Sequence, residues 1–133
     1  MISLEDATRI HGHKGPFLVI GYRAGARALE ELKPGNEHDL VAILYIPSTT
    51  PYTCIADGVQ FAAGCTFGKG SIAVINSKEM KLVFEKQSTG EKMVFVIDKS
   101  FIRRIESLSI KEAAELAEKA GWGEIFCRIE KQP

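Results

Sequence analysis

The run Asp39-Leu-Val-Ala-Ile-Leu-Tyr-Ile46 constrains this chain more than any other stretch. It is almost continuously apolar, the pattern of a strand covered on both faces. Helical segments must then pack against the sheet that holds it. Pro16 to about Leu32 supplies one: proline suits a first helical turn, because its missing N–H has no partner there anyway. Leu18, Tyr22, Ala26 and Leu29 form an apolar stripe at helical spacing. Gly21, Ala24, Gly25 and Ala28 form a small-residue face. Each interior glycine costs roughly 1 kcal/mol against alanine, so a closely packed neighbour is expected to compensate.

The remaining elements follow from caps and alternation. Ser3-Leu-Glu-Asp6 opens a short helix running into His11-Gly-His-Lys-Gly-Pro16. Pro47 to Tyr52 is a loop, and a helix capped by Thr53 and stopped by Gly64 follows it. Strands are expected at about Ser71–Asn76, Met80–Gln87 and Lys92–Asp98, as an antiparallel meander turning at Ser77–Glu79 and Ser88–Glu91. Ser109-Ile-Lys-Glu112 is a capping box for a last helix to about Ala120, with Gly121 as its stop, and Glu124–Glu130 suits an edge strand. The two strands that flank the Thr53 helix suit parallel pairing. The fold class is α+β, an α-β-α-β-β-β core with a mixed antiparallel/parallel sheet plus a C-terminal helix.

Composition narrows the function classes. At 133 residues the chain suits one domain, residues 1–133, and needs no disulfide staples. Seventeen basic residues balance seventeen acidic ones, which argues against nucleic acid or a membrane surface as partner. No signal peptide is readable, and no apolar stretch approaches the ~20 residues of a membrane span. Three cysteines without a secretion signal point to reduced thiols in a cytoplasm.

Chemistry concentrates in Thr53–Gly70. Cys54 and Cys65 are eleven positions apart, about three turns at ~3.6 residues per turn, so they are expected to share a face, along which Asp57 and Phe61 follow Cys54. His11 and His13 are the other ligand-competent pair. Imidazole with thiolate favours a borderline-soft metal, zinc above iron and copper. The spacing matches no standard zinc finger, and two buried thiols with two capping or surface histidines is the plainer alternative. Gly64-Cys-Thr-Phe-Gly-Lys-Gly70 is one residue short of a phosphate loop and leaves a helix instead of entering one. It reads as a connection into the strand at Ser71, with an anion nest beside Lys69 as the alternative. Cys127 reads as a packing or free thiol, Trp122 as an anchor for the tail or a subunit contact, and His38 as solvated.

His11-Gly-His-Lys-Gly-Pro-Phe-Leu-Val-Ile-Gly-Tyr-Arg-Ala24, Cys54-Ile-Ala-Asp-Gly-Val-Gln60 and Gly64-Cys-Thr-Phe-Gly-Lys-Gly70 together resemble the signature segments of the FmdE family of formylmethanofuran dehydrogenase components. Order and spacing agree from about residue 5 to residue 120. The resemblance implies a four-stranded mixed sheet (FmdE/GAPDH-domain-like), a metal-binding cleft, commonly with zinc, and a homodimer. It places His11, His13, Cys54 and Cys65 at the metal, with Asp57, Gln60, Thr66 and Lys69 as polar surroundings. One position departs: the family's His-Gly-His-X-Cys-Pro carries Gly15 in place of the cysteine here. The zinc-ribbon-like extension of some relatives is not expected either.

Two functions follow. In one, the domain binds a metal as a small metalloenzyme, with Asp57 handling protons and Lys69 holding a small anionic ligand, or as an accessory subunit related to molybdenum/tungsten formylmethanofuran dehydrogenase. In the other, it is a non-catalytic ligand-binding or thiol accessory protein that has lost the metal site, serving a larger oxidoreductase complex. The chain has no recognisable pterin site and is too small to carry that complex's chemistry alone.

Overall fold

The computed structural model describes residues 1–133. Helix α1, Leu4–His11, starts where the Ser3 side chain accepts a hydrogen bond from the Asp6 N–H. It ends at Gly12, whose φ of 111° lies in the left-handed region that glycine enters without strain. Helix α2, Pro16–Leu32, then begins with proline in its first turn. Strand β1 (Leu40–Ile46), helix α3 (Cys54–Ala63) and strands β2 (Ile72–Asn76), β3 (Lys81–Lys86) and β4 (Lys92–Ile97) follow. Helices α4 (Lys99–Glu106), α5 (Ile110–Lys119) and α6 (Trp122–Ile125) lead to strand β5, Phe126–Gln132. The architecture is α+β with a mixed sheet.

The sheet has five strands in the order β2-β1-β3-β4-β5. Strands β1 and β2 pair in parallel, as their placement around α3 requires, and every other pair is antiparallel. One expectation needs correction here. The turn after β2 is not a hairpin: the link crosses the end of β1, where the Ser77 N–H donates to Ile46 O at 3.1 Å, and β3 pairs with β1 instead. The edge strand expected at Glu124–Glu130 forms as β5 on the β4 edge, a fifth strand beside the four that the resemblance implied.

Strand β1 is fully covered on one face only. Leu40, Ala42, Leu44 and Ile46 are buried, whereas Val41, Ile43 and Tyr45 on the other face are half-buried. Register carries this alternation across the sheet, aligning Leu44 with Leu82 and Leu82 with Phe95. These residues join Phe84, Phe101, Ile55 and Val59 in one core cluster, to which Val41, Ile43, Val83 and Val96 do not belong. Full burial of each large apolar side chain contributes about 1.5–3 kcal/mol. The entry to β1 is pinned by Asp39, which accepts from the N–H groups of Gly35 at 2.8 Å and Ser88 at 2.7 Å. Those bonds, that of Gly35 foremost, hold its carboxyl below the usual range.

The glycines of α2 are explained by what crosses them. A Cβ on Gly21 would stand 2.1 Å from Ile55 O, and one on Gly58 would stand 2.2 Å from Leu18 O. The backbones of α2 and α3 therefore touch directly, which only glycine at both positions permits. This crossing sets the start of α2 beside the start of α3. The tail is anchored as the glycine-flanked tryptophan suggested: the Arg23 and Arg27 guanidinium groups lie 4.6 and 4.8 Å from the Trp122 ring centre.

Candidate functional site

Where α2 meets α3, a cleft of about 400 Å³ opens. His11, His13 and Cys54 line one side, and Ile105, Glu106, Leu108 and Ile110 line the other. The polar side is assembled from three local devices. Gly12 turns the chain out of α1 just after His11, Pro16 restarts it as α2, and the glycine crossing delivers the first residue of α3 to the same place.

His11 is the most constrained side chain of the group. Its Nδ1 lies 2.6 Å from Asp57 Oδ2, and its side chain is only 9% exposed. An ionised carboxylate only accepts, so Nδ1 carries the proton, and in the neutral imidazole Nε2 then presents a lone pair. That Nε2 is buried and is the one such side-chain atom in the molecule without a hydrogen-bond partner. A carboxylate that fixes one imidazole nitrogen while the other awaits a partner is the usual environment of a metal-bound histidine. The His13 ring lies beside it, 4.9 Å between centroids, and is exposed to solvent. Burial raises the pKa of the Cys54 thiol, and the nearby Asp57 charge adds to that, so without a metal Cys54 stays protonated at neutral pH.

Gly15 shows what a thiol at this position would meet. A Cβ built there would lie 3.3 Å from His13 Nε2, so the imidazole rests against the space a cysteine would enter. No three His, Cys, Asp or Glu side chains are arranged to share a metal ion. By type, two imidazoles and a thiol are donors a borderline-soft metal takes; they line one cleft, and one imidazole is already oriented by a carboxylate.

The other expected residues lie elsewhere. Helix α3 stops at Ala63, with Gly64 left-handed at φ 73°, so Cys65 lies beyond it and does not share a helical face with Cys54. The two are separated by the length of the helix, roughly 15 Å at ~1.5 Å per residue. The buried Cys65 thiol points at Leu40 O, 3.5 Å away, and burial pushes its pKa up to about 11. Lys69 Nζ donates to Gly64 O at 2.6 Å and Thr66 Oγ1 at 2.8 Å. Gln60 Oε1 accepts from the Phe67 N–H, and the Ser71 hydroxyl oxygen accepts from the Thr66 N–H. The glycine-rich loop thus occupies its own polar groups. Thr53 stands at the N-cap position of α3 in helical conformation and makes no side-chain cap. His38 lies exposed near Glu37, and Cys127 is exposed on β5.

The apolar side of the cleft was not legible as a site. Helix α4, which brings Ile105 and Glu106, had readable signals in the Asp98 cap and in Phe101, Ile102 and Ile105 at helical spacing. Its single apolar face resembles any core-facing helix, so nothing marked it as a cleft wall.

A mixed sheet carrying two crossed helices, with a cleft lined by His11, His13 and Cys54 at their crossing, defines a small α+β domain. Residues 10–131 match the family described as FmdE, Molybdenum formylmethanofuran dehydrogenase operon, and the chain belongs to that family. It is 32% identical over 121 residues to a probable S-adenosyl-L-methionine-binding protein of Archaeoglobus fulgidus, covering 87% of this chain and 31% of that protein. The chain therefore spans about a third of that relative's length. The fold is similar to the crystal structure of a tungsten formylmethanofuran dehydrogenase FmdE-like protein from Syntrophus aciditrophicus. The TM-score is 0.63 and the identity 21%, over 97% of this chain and 69% of the other. No helix is long and apolar enough to cross a membrane.

Proposed function

We propose that the cleft is a transition-metal site, zinc foremost, in an FmdE-like domain that acts as a small metalloenzyme or as an accessory component related to molybdenum/tungsten formylmethanofuran dehydrogenase. The observation that carries this reading is the buried, unpartnered His11 Nε2, held in its tautomer by Asp57. His11, His13 and Cys54 would hold the ion. Three protein donors leave a coordination position open, as catalytic zinc sites do and structural ones do not. Zinc bound there supplies Lewis acidity and a lowered pKa for its water. The chain's own contribution is orientation: Asp57 fixes the His11 ring.

A second reading keeps the cleft but not the metal: a ligand-binding or thiol accessory domain. Gly15 in place of a thiol and the lack of a preassembled three-donor cluster favour it. Partners in either reading would be a second copy of the chain, against the sheet face that carries Val41, Ile43 and Val83, and a larger oxidoreductase complex. Elemental analysis of protein purified without an affinity tag separates the two readings. About one equivalent of metal, lost in His11→Ala, is the expected result under the metal reading. A metal-free protein, or metal that survives His11→Ala, would leave the second.

A further inference from the structure

The side of the cleft away from the histidines has a chemistry of its own. Phe17, Leu18, Ile105 and Ala113 wall it, and Leu108 and Ile110 stand 38% and 65% exposed beside them. Glu106 is the one acidic side chain in the lining, and no lysine or arginine is present to answer it. Two nearby cations are already engaged: Lys14 Nζ lies 2.6 Å from Glu118, and Arg104 lies 3.3 Å from Glu124. The Glu106 carboxylate is also held in place. The Tyr52 hydroxyl donates to its Oε2 at 3.0 Å, and the Tyr52 ring packs edge-on against Phe17, with centroids 5.1 Å apart.

A fixed carboxylate beside an aromatic, apolar wall is complementary to an organic cation. An anionic ligand on this side would bring a like charge toward Glu106 with no lysine or arginine in the lining to offset it. We propose that the cleft takes an organic cation with an apolar body, an amine or ammonium compound, whose apolar part lies against Phe17, Ile105 and Leu108 and whose charge lies beside Glu106. This rests on reading the cleft as the functional site; a divalent ion on the histidines would oppose a second cation, so the preference is expected to be strongest in metal-free protein.

Benzylammonium and benzoate share a shape and differ in the sign of their charge, which makes them suitable probes. Each is titrated into the protein as purified and into Glu106→Gln, in mildly alkaline buffer, with amide chemical shifts as the readout. Glu106 is exposed, and glutamine keeps an acceptor for Tyr52, so the variant is expected to fold. Benzylammonium should bind roughly tenfold more tightly than benzoate, shifting amides of α2 and α4, and Glu106→Gln should abolish the preference. Equal or tighter binding of benzoate, no binding of either probe, or a preference that survives Glu106→Gln would overturn the proposal. Repeating the titration after chelation separates it from the metal reading. A preference that persists in metal-free protein supports the cation site whatever the metal analysis shows, and one that disappears with the metal refutes it.

Discussion

The two ends of α3 are similar in sequence and opposite in structure. Each has a cysteine, a charged side chain within four residues of it and a glycine nearby. At the Cys54 end, Asp57 reaches 46 positions back to orient His11, and a buried nitrogen is left without a partner on a cleft wall. At the Cys65 end the polar groups close on their own loop: Lys69 on Gly64 and Thr66, Gln60 on Phe67, Ser71 on Thr66. Composition alone therefore does not distinguish a site from a well-made connection. What distinguishes them is whether buried polar groups are satisfied from within, since leaving one unmet costs about 1–3 kcal/mol and calls for a reason.

Both ends depend on the glycine crossing, so the largest effect is expected from breaking it. Gly58→Ala drives a Cβ into the α2 backbone and should destabilise the fold by about 3 kcal/mol or more in urea unfolding. Gly68→Ala, whose Cβ would meet nothing within 4 Å, should change stability by less than ~0.5 kcal/mol. Equal effects would show that the backbones are not in direct contact.

Gly15→Cys tests the contrast from the cleft side. The Gly15 backbone, at φ −114° and ψ 166°, accepts any residue, and the neighbour its Cβ would meet is the end of the exposed His13 side chain. Competition with a chromogenic chelator should show zinc affinity rising by about tenfold or more as a further thiolate joins the donors. Unchanged affinity would mean that position 15 does not face the ion.

Alkylation at near-neutral pH reads the smallest differences. Cys127 is exposed, Cys54 is half-buried with a raised pKa, and Cys65 is buried with its pKa pushed up to about 11. Iodoacetamide should modify them in that order, because the thiolate is the reactive form and access limits it further. Raising the pH toward the Cys65 pKa should accelerate that residue last. Zinc should protect Cys54 alone; protection of Cys65 would place the metal at the wrong end of α3.

Local signals made most of the helices legible. The Ser3 cap, Pro16, the Gly64 stop and the Ser109 capping box each act within one turn of the chain, and the structure keeps all four. Strand order was less accessible. The short Ser77–Met80 link has hairpin length, yet β1 occupies the place beside β2, and that competition between distant segments leaves no local mark. The polar wall of the cleft could be picked out from His11, His13 and Cys54, with Asp57 behind His11, because their chemistry is unusual. Phe17, Ile105 and Leu108 could not be assigned to a cleft, because an apolar wall and an apolar core use the same residues. Cys65 misled because eleven positions suggest a shared face only if the helix continues, and Gly64 ends it.

That one end of α3 serves the site and the other serves the fold is tested most directly by zinc affinity measured side by side in Asp57→Asn and Cys65→Ser. Asp57→Asn should weaken binding by about tenfold to a hundredfold, because His11 loses the carboxylate that orients it, and Cys65→Ser should bind zinc like the unaltered protein. Weakened binding in Cys65→Ser with none in Asp57→Asn would contradict this division of roles.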